Sequence, residues 1–200
     1  MGNLKLKNYI YLLIVEFALE EGIAIMIKKY IGYHGTTNDN ATKILKDKNI
    51  LPSRDEDEWL GEGSYFFYDA ADAHWWCGEY KKLKEYTILK ADVEAKTIID
   101  FVHSREDQLN LWKLCEIVKS KSNKMSNGKI RKNYLSLAIK AMVKTSKPDI
   151  IVGGFDQNRM FWYKTNSDQA KKFPLIVMQV QICVLNKTCI KDLTKHMEVS

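Results

Sequence analysis

The sequence has few cysteines and histidines, and their arrangement excludes several kinds of site. The four cysteines among 200 residues show no CxxC spacing and no partnered histidine pair, so they predict neither a zinc site nor a disulfide framework. The four histidines are scattered and form no HExxH pattern, which argues against a catalytic metal. We therefore expect reduced, buried thiols, no metal and a cytoplasmic location.

A hydrophobic run long enough to cross a bilayer is also lacking. The apolar residues 9–15 are soon followed by three glutamates, and no A-x-A cleavage site comes after them. We predict an amphipathic helical extension over residues 1–26, packed on the domain or against a partner chain, and a single domain over residues 27–200. Met26 is an alternative start of translation, in which case the extension is dispensable.

Negative charge is in the minority. The 31 lysines and arginines exceed the 25 aspartates and glutamates and give a net charge of +6. This excess suits an anionic partner such as a dinucleotide or RNA, and a purely solubilising role explains it equally well. The polar, basic segment 119–132 is the best local candidate for phosphate contacts. The acidic segment 54–58 is typical of a solvated surface connection.

Hydrophobic periodicity and turn residues predict a mixture of strands and helices. A buried strand over residues 149–152 is expected to end at the pair Gly153-Gly154. The strand signal at 175–185 is followed by a turn and a returning strand at 189–193, which predicts a C-terminal hairpin. The other predicted elements are strands at 86–93 and 97–101 and helices at 38–48, 69–80, 105–120 and 133–144.

Two glycine-containing segments bring polar rings to the ends of strands. His34 and Gly35 close an apolar β-like run, where the backbone is able to approach a ligand closely. Some thirty residues later, a tight turn at 61–63 leads directly into Tyr65, which should stand at the start of a strand. The rings of His34 and Tyr65 are therefore expected on neighbouring rigid elements.

Polar residues also occur late in the chain. Gln179 and Gln181 project from the same face of the predicted strand. Two amides on an otherwise apolar strand favour a binding cleft, and a solvated edge strand is the alternative. The long connection 155–174 contains Asp156 and Arg159, and a loop of this length in a compact domain is usually a lid or a binding loop.

Three segments of the chain, taken in order, resemble the signatures of the ADP-ribosyltransferase superfamily, in the diphtheria-toxin and poly(ADP-ribose)-polymerase branch with its His-Tyr-Glu triad. They are His34-Gly35-Thr36, the Gly-x-Gly-x-Tyr-Phe segment at 61–66, and the C-terminal hairpin. Single motifs are weak, whereas three in the right order are not. The resemblance implies an α+β fold, a split β-sandwich of two small, mainly antiparallel sheets around an NAD cleft, with helices at its sides.

Carried over residue by residue, the resemblance implies how NAD would be bound as a co-substrate. His34 would hydrogen-bond the adenosine ribose, and the backbone of Gly35 would hold the nicotinamide amide. The rings of Tyr65 and Trp76 would flank the nicotinamide, while Thr36 would assist at its ribose. The resemblance implies no metal.

The chain departs from the family at the catalytic glutamate. Aligned by the turn of the hairpin, Gln181 takes that position, and Gln179 lies two residues earlier, where related enzymes often carry an acceptor-recognising Gln or Glu. A glutamine brings no negative charge, and because charge-assisted hydrogen bonds are stronger than neutral ones by about 1–1.5 kcal/mol, the expected loss is on the order of tenfold. Asp156 is an alternative carboxylate, and it joins Arg159 as a candidate acceptor contact. Transfer of a single ADP-ribose is then favoured over chain elongation.

The resemblance thus implies a cytoplasmic mono-ADP-ribosyltransferase, a glycosyltransferase that moves ADP-ribose from NAD to a protein or a nucleic acid. Small stand-alone bacterial members of this superfamily often resemble toxins of phage-defence or toxin–antitoxin systems, so an antitoxin or another partner chain is left open. No membrane association is expected. Two alternatives to the enzyme remain. One is a catalytically weak or inactive module that binds NAD or ADP-ribose, and the other is a basic nucleic-acid-binding protein.

Overall fold

The structure, a computed structural model, describes residues 26–54, 58–124, 134–156 and 178–200. The strands in these ranges are β1 Lys28–Thr36, β2 Ser64–Phe67, β3 Tyr86–Ala95, β4 Ile98–Asp100, β5 Ile150–Asp156, β6 Met178–Val184 and β7 Ile190–Val199. The α-helices are α1 Asn38–Asp47, α2 Ala70–Trp75, α3 Arg105–Lys124 and α4 Tyr134–Ser146; a π-helical turn, Trp76–Tyr80, continues α2, and a 3₁₀ turn, Lys187–Cys189, precedes β7. The predicted α+β class is confirmed.

Helices α1 and α2 begin at side-chain caps that the sequence supplies. Thr37 Oγ1 accepts a hydrogen bond from Asn40 N at 3.4 Å, and Asp69 Oδ1 accepts one from Ala71 N at 2.8 Å, each satisfying an amide at the start of a helix. Lys48 ends α1 in the left-handed conformation, with φ of 47°. The caps fix α1 directly after β1 and α2 directly after β2.

The strands form one hydrogen-bonded sheet in the order β4-β5-β6-β2-β1-β3-β7, where we expected two separate sheets. Neighbouring strands are antiparallel except for the parallel pair β4 and β5. β1 pairs with β3 along its whole length, but it pairs with β2 at a single position, Tyr33 opposite Phe67. The sheet is therefore continuous and almost parted between β1 and β2.

Short connections show that the two halves of this sheet curl toward each other. β3 ends at Ala95 and β4 begins at Ile98, although five strand spacings separate them in the sheet order. Five spacings in a flat sheet measure about 24 Å, whereas the two intervening residues span about 10 Å. The half made of β4, β5, β6 and β2 must therefore fold back over the half made of β1, β3 and β7.

The carboxylate of Asp149 holds the two halves together at this end. Its Oδ2 accepts hydrogen bonds from Lys96 N at 2.9 Å and Thr97 N at 3.1 Å, and its Oδ1 accepts one from Asn186 Nδ2 at 2.8 Å. Burial acts to raise the pKa of Asp149, but these hydrogen bonds outweigh it and hold the pKa below its usual value. One carboxylate thus joins the two connections that pass between the halves.

The predicted C-terminal hairpin is wrong. β6 lies between β5 and β2, whereas β7 pairs with β3 at the opposite edge of the sheet. A short connection normally joins neighbouring strands, but the curl of this sheet brings the end of β6 close to the start of β7 across the core. The chain therefore crosses from one half to the other between residues 184 and 190.

A hydrophobic cluster contains residues of both halves, as the curl requires. It includes buried side chains from β2, β3, β5 and β6 and packs against partly buried residues of β7. Its larger members are Phe66, Val93, Ile150, Ile182 and Val184. A second cluster packs α4 against β5 and β6, so the helix covers the outer face of that half.

Two predicted boundaries differ from the structure. Helix α3 continues to Lys124, beyond the predicted end at residue 120. Lys119 Nζ bonds Glu116 Oε1 at 2.8 Å and lies 4.7 Å from the Tyr134 ring centre, which ties α3 to α4. β5 does not end at Gly153-Gly154 but runs through both glycines to Asp156, because each residue pairs with β6. Tertiary pairing here overrides the local preference of glycine.

Several predictions fall outside the described residues. These are the helix over 1–25, the basic residues 125–133, and 157–177, which contain Arg159 and most of the long connection. Asp156 is described only as the last backbone position of β5. In the described part of the chain, no helix has both the length and the apolar character needed to cross a membrane.

Candidate functional site

A cavity of about 240 Å³ lies between β1 and β2, on the side of the Tyr33–Phe67 pair where the strands are no longer paired. β6, the turn before β2 and the π-helical turn complete its walls. Its lining includes five residues that the sequence singled out, namely His34, Gly35, Tyr65, Trp76 and Gln181. Residues from four separate elements thus converge on one cleft.

The imidazole of His34 presents an acceptor nitrogen. Its Nδ1 lies 2.8 Å from the backbone oxygen of Tyr65, and because a carbonyl only accepts, Nδ1 carries the proton. Burial lowers the pKa of His34, and the hydrogen bond to Tyr65 only partly opposes this effect. At neutral pH the ring is therefore neutral, and the lone pair of Nε2 is ready to accept a hydrogen bond from a ligand hydroxyl.

Tyr65 offers its ring to the cavity, while its hydroxyl is bound elsewhere. The hydroxyl donates to Gly61 O at 2.8 Å and accepts from Leu60 N at 3.2 Å, so both its donor and an acceptor position are used by the preceding turn. Burial above all, with the nearby Cys183 and Glu58, raises the pKa of Tyr65 well above its usual value. Tyr65 is therefore suited to be a fixed aromatic wall and not a proton carrier.

A further part of the cavity wall is built by the helix that packs on Gly35. A Cβ at this glycine would overlap Cys77 Sγ, so only glycine lets the π-helical turn approach β1 closely enough to bring Trp76 to the cavity. The Trp76 ring is half-buried, and Lys81 Nζ lies 5.1 Å from its centre. Lys81 also lines the cavity and gives it a positive charge that suits a phosphate group.

Gln181 lines the cavity, and its amide has a fixed orientation. The indole Nε1 of Trp59 donates a hydrogen bond to Gln181 Oε1 at 3.0 Å. Since an indole N–H only donates, the oxygen must face Trp59. Gln181 therefore turns its Nε2 donors away from Trp59, and its amide oxygen is already engaged.

The cavity contains a carboxylate that we did not anticipate from the sequence. Glu58, from the acidic segment expected to be a solvated connection, lines it together with Gln181. Ser53 Oγ donates a hydrogen bond to Glu58 Oε1 at 2.7 Å, and Gly61 N bonds the Glu58 backbone oxygen at 3.1 Å. The side chain is half-buried and is held to the same turn that positions Tyr65.

A second cavity, of about 330 Å³, adjoins the first along His34 and Leu51. Thr36 lies here and not in the first cavity, beside the polar side chains of Asn40 and Lys43 from α1. His34 thus stands between two compartments, and a ligand that fills both would pass its ring.

A third cavity, of about 180 Å³, lies on the other side of Glu58 and Gln181 and is lined by Trp59, Trp75, Trp76 and Tyr80. Gln179 belongs to its wall, so the two amides are brought together as predicted. Gln179 is fully buried: its Nε2 donates to Asp72 Oδ1 at 3.1 Å, and its Oε1 has no hydrogen-bond partner among the described residues. Its role at an acceptor stays a prediction.

Two other predicted contacts, Asp156 and Arg159, stay predictions. The side chain of Asp156 and the whole of Arg159 lie outside the described residues. Within the described ranges, no group of three or more histidine, cysteine, aspartate or glutamate side chains is arranged to hold a metal ion. Sequence reasoning missed Glu58, Trp59 and Lys81, since only their contacts across the fold distinguish them from ordinary surface residues.

The chain is similar to an uncharacterized protein, MJ0359, of the archaeon Methanocaldococcus jannaschii. The two are 29% identical over 181 residues, which cover 80% of this chain and 84% of the archaeal protein. No family model matches the chain, and no solved structure matches it. The similarity covers most of this chain, but the archaeal protein is uncharacterized and indicates no activity, so the function must be inferred from the cleft.

Proposed function

We propose that this protein is an NAD-dependent mono-ADP-ribosyltransferase with a macromolecular acceptor, either a protein or a nucleic acid. The observation that carries the proposal is the convergence of His34, Gly35, Tyr65, Trp76 and Gln181 on one cleft. The residues were selected from sequence motifs alone. If those motifs were accidental, nothing would require the residues to share a cavity.

The sheet architecture supports the same function. Two separate sheets were expected of the split β-sandwich of ADP-ribosyltransferases, and a single sheet that is nearly parted between β1 and β2, with its halves curled toward each other, comes close to that arrangement. The cavity lies at the parting, where a dinucleotide would enter. We therefore propose that the observed α+β fold is a form of that sandwich.

The two adjoining cavities fit the two halves of NAD. In this proposal the nicotinamide enters the first cavity between the rings of Tyr65 and Trp76, and the adenosine lies in the second, with Thr36 and Lys43 within its walls. His34 Nε2 accepts a hydrogen bond from a ribose hydroxyl between them. Taken together the cavities reach the range of about 300–1,000 Å³ that is common for small-molecule sites.

The chemistry proposed is cleavage of the bond between the nicotinamide nitrogen and C1′ of its ribose. The aromatic walls hold the nicotinamide as the leaving group, which departs with both electrons of that bond. An acceptor nucleophile then bonds C1′. The third cavity opens beside Glu58 and Gln181 and is the proposed approach for that acceptor, and a role as a defence effector or toxin would follow from the acceptor's identity.

The test is turnover of labelled NAD by the purified protein, offered protein, RNA and DNA acceptors separately. Wild-type protein should release nicotinamide and label one acceptor class, and His34→Ala should lower kcat/KM at least about tenfold, the loss expected for a hydrogen bond at the substrate. His103→Ala is the matched control, because His103 is mostly exposed and borders none of the three cavities. Absence of both NAD turnover and NAD binding would refute the proposal.

A binding module for NAD or ADP-ribose is the second candidate, and the fixed amide of Gln181 favours it. With its oxygen bound to Trp59, Gln181 brings no charge to the ribose and has only one acceptor position left. Calorimetry that detects NAD binding by a protein without turnover would select this function. A nucleic-acid-binding protein without nucleotide chemistry would instead bind RNA or DNA and leave NAD unbound.

A further inference from the structure

We propose that Glu58 supplies the carboxylate that faces the reacting ribose in this cleft. This inference rests on the proposed function and adds the residue that provides the negative charge. One chemical requirement and two observations support it. The reaction needs a negative charge, the orientation of Gln181 does not supply it, and Glu58 is held in the cleft by its contacts.

The reaction develops positive charge at one place. As the bond between C1′ and the nicotinamide nitrogen breaks, the nicotinamide leaves as a neutral molecule and the ribose ring becomes oxocarbenium-like. A fixed negative group is the strongest stabiliser of such a centre in a site that excludes water. The acceptor then forms its bond to C1′ and gives up a proton, which a carboxylate accepts and passes to water.

Gln181 does not meet either need. It is neutral, and its Oε1 already accepts the hydrogen bond from Trp59 Nε1, so the amide has left for a ligand its two Nε2 donors and one uncharged acceptor position. A donor turned toward a developing cation is unfavourable. The amide is better suited to bind an oxygen of the substrate or of the acceptor.

Glu58 meets both needs from the adjacent position. It borders the first and the third cavity, and Gln181 and Trp76 line both of them too. It therefore lies where the proposed nicotinamide ribose and the proposed acceptor meet. Among the described residues that line the first cavity, Glu58 is the acidic one, and Lys81 is the cationic one.

The Glu58 carboxylate is also held in one orientation by its contacts, whereas the carboxylate of an ordinary surface glutamate is not. Ser53 Oγ binds Oε1, and Ser53 is itself fixed by an antiparallel bridge to Gly63, with Ser53 N bonded to Gly63 O at 2.8 Å. This arrangement occupies one carboxylate oxygen and leaves Oε2 for a ligand. The loop thus holds a charged group in a defined orientation. The next residue on the loop, Trp59, fixes the orientation of the Gln181 amide.

The experiment compares Glu58→Gln with wild type by nicotinamide release under single-turnover conditions, NAD affinity by calorimetry, and melting temperature. Glu58→Gln keeps the shape and the bond from Ser53 and removes only the charge. We expect the rate to fall about 100- to 1,000-fold, with NAD affinity within about threefold and an unchanged melting temperature. Glu62→Gln, an exposed acid in the same segment that borders the first cavity nowhere, should behave as wild type.

A second variant separates charge from packing. In Glu58→Gln combined with Gln181→Glu, a carboxylate returns to the cleft from the strand, and the rate should recover at least about tenfold over Glu58→Gln. A Glu58→Gln rate within threefold of wild type, a parallel loss of NAD affinity, or a double variant as slow as Glu58→Gln would each overturn the inference while the transferase stands. A wild-type protein that does not turn over NAD would overturn the proposed function and this inference with it.

Discussion

The glycine at position 61 offers a sharp test of how the site is built. Gly61 has φ of +96°, a backbone conformation that costs an L-residue about 1–2 kcal/mol. A Cβ at this position would meet no atom of the described residues within 4 Å, so Gly61→Ala adds backbone strain without a steric clash against them. For a domain of this size the expected drop in melting temperature is about 2–8 °C, measured by thermal and urea unfolding.

The strain should also reach the cavity through Tyr65, because Gly61 O accepts the hydrogen bond from its hydroxyl. Tyr65→Phe removes that bond and the acceptor of Leu60 N, at a cost of about 1–3 kcal/mol. If alanine displaces the Gly61 carbonyl, the double variant loses less than the sum of the single losses, by about 0.5 kcal/mol or more. Glu62→Ala, an exposed neighbour, should stay within about 0.5 kcal/mol of wild type. A Gly61→Ala protein as stable as that control would refute this account of the turn.

Two further predictions concern charge. Asp149→Ala should destabilise the fold by about 2–4 kcal/mol in urea unfolding, since three hydrogen bonds between the halves are lost; Glu85→Ala, at an exposed position, is the control. Because the pKa of Asp149 is lowered in the fold, its contribution to stability is complete above about pH 4. A series of melts at different pH should show this contribution being lost as the pH falls through the lowered pKa. The pKa of His34 is also lowered, so NAD affinity by calorimetry should be constant above about pH 6.5 and weaken only as acidification protonates Nε2; affinity that rises on acidification would contradict the assigned tautomer.

The parts of the site that the sequence predicts are those encoded by local backbone chemistry. A glycine after His34 and a glycine turn before Tyr65 specify close approach and a reversal of the chain, and both effects act within a few residues. These patterns therefore identified side chains that the fold brings to one cavity. Helix caps at Thr37 and Asp69 are local in the same sense, and the helices that they begin were predicted.

The parts that were missed depend on contacts between distant residues. The bond between Trp59 and Gln181 joins positions 122 residues apart, and no local pattern indicates it. The acidic segment before Trp59 has the composition of a solvated loop, so the burial of Glu58 is visible only once β6 lies beside it. The hairpin was wrong for a related reason: a short turn was assumed to join neighbouring strands, whereas the curl of the sheet brings the end of the interior strand β6 close to the start of the edge strand β7 across the core.

The segment 58–65 joins three properties that the site requires, and this bears on how a glutamine is tolerated at position 181. Glu58 brings charge, Gly61 reverses the chain, and Tyr65 provides a wall, with hydrogen bonds from the turn linking all three. Under our proposal, position 181 on the strand carries a neutral amide, and the negative charge that the triad of ADP-ribosyltransferases has there lies on this loop instead. Turnover of NAD by the wild-type protein separates the transferase from the binding module, and the Glu58→Gln comparison then shows whether the carboxylate at position 58 carries that turnover, because this substitution leaves the walls of the NAD site unchanged.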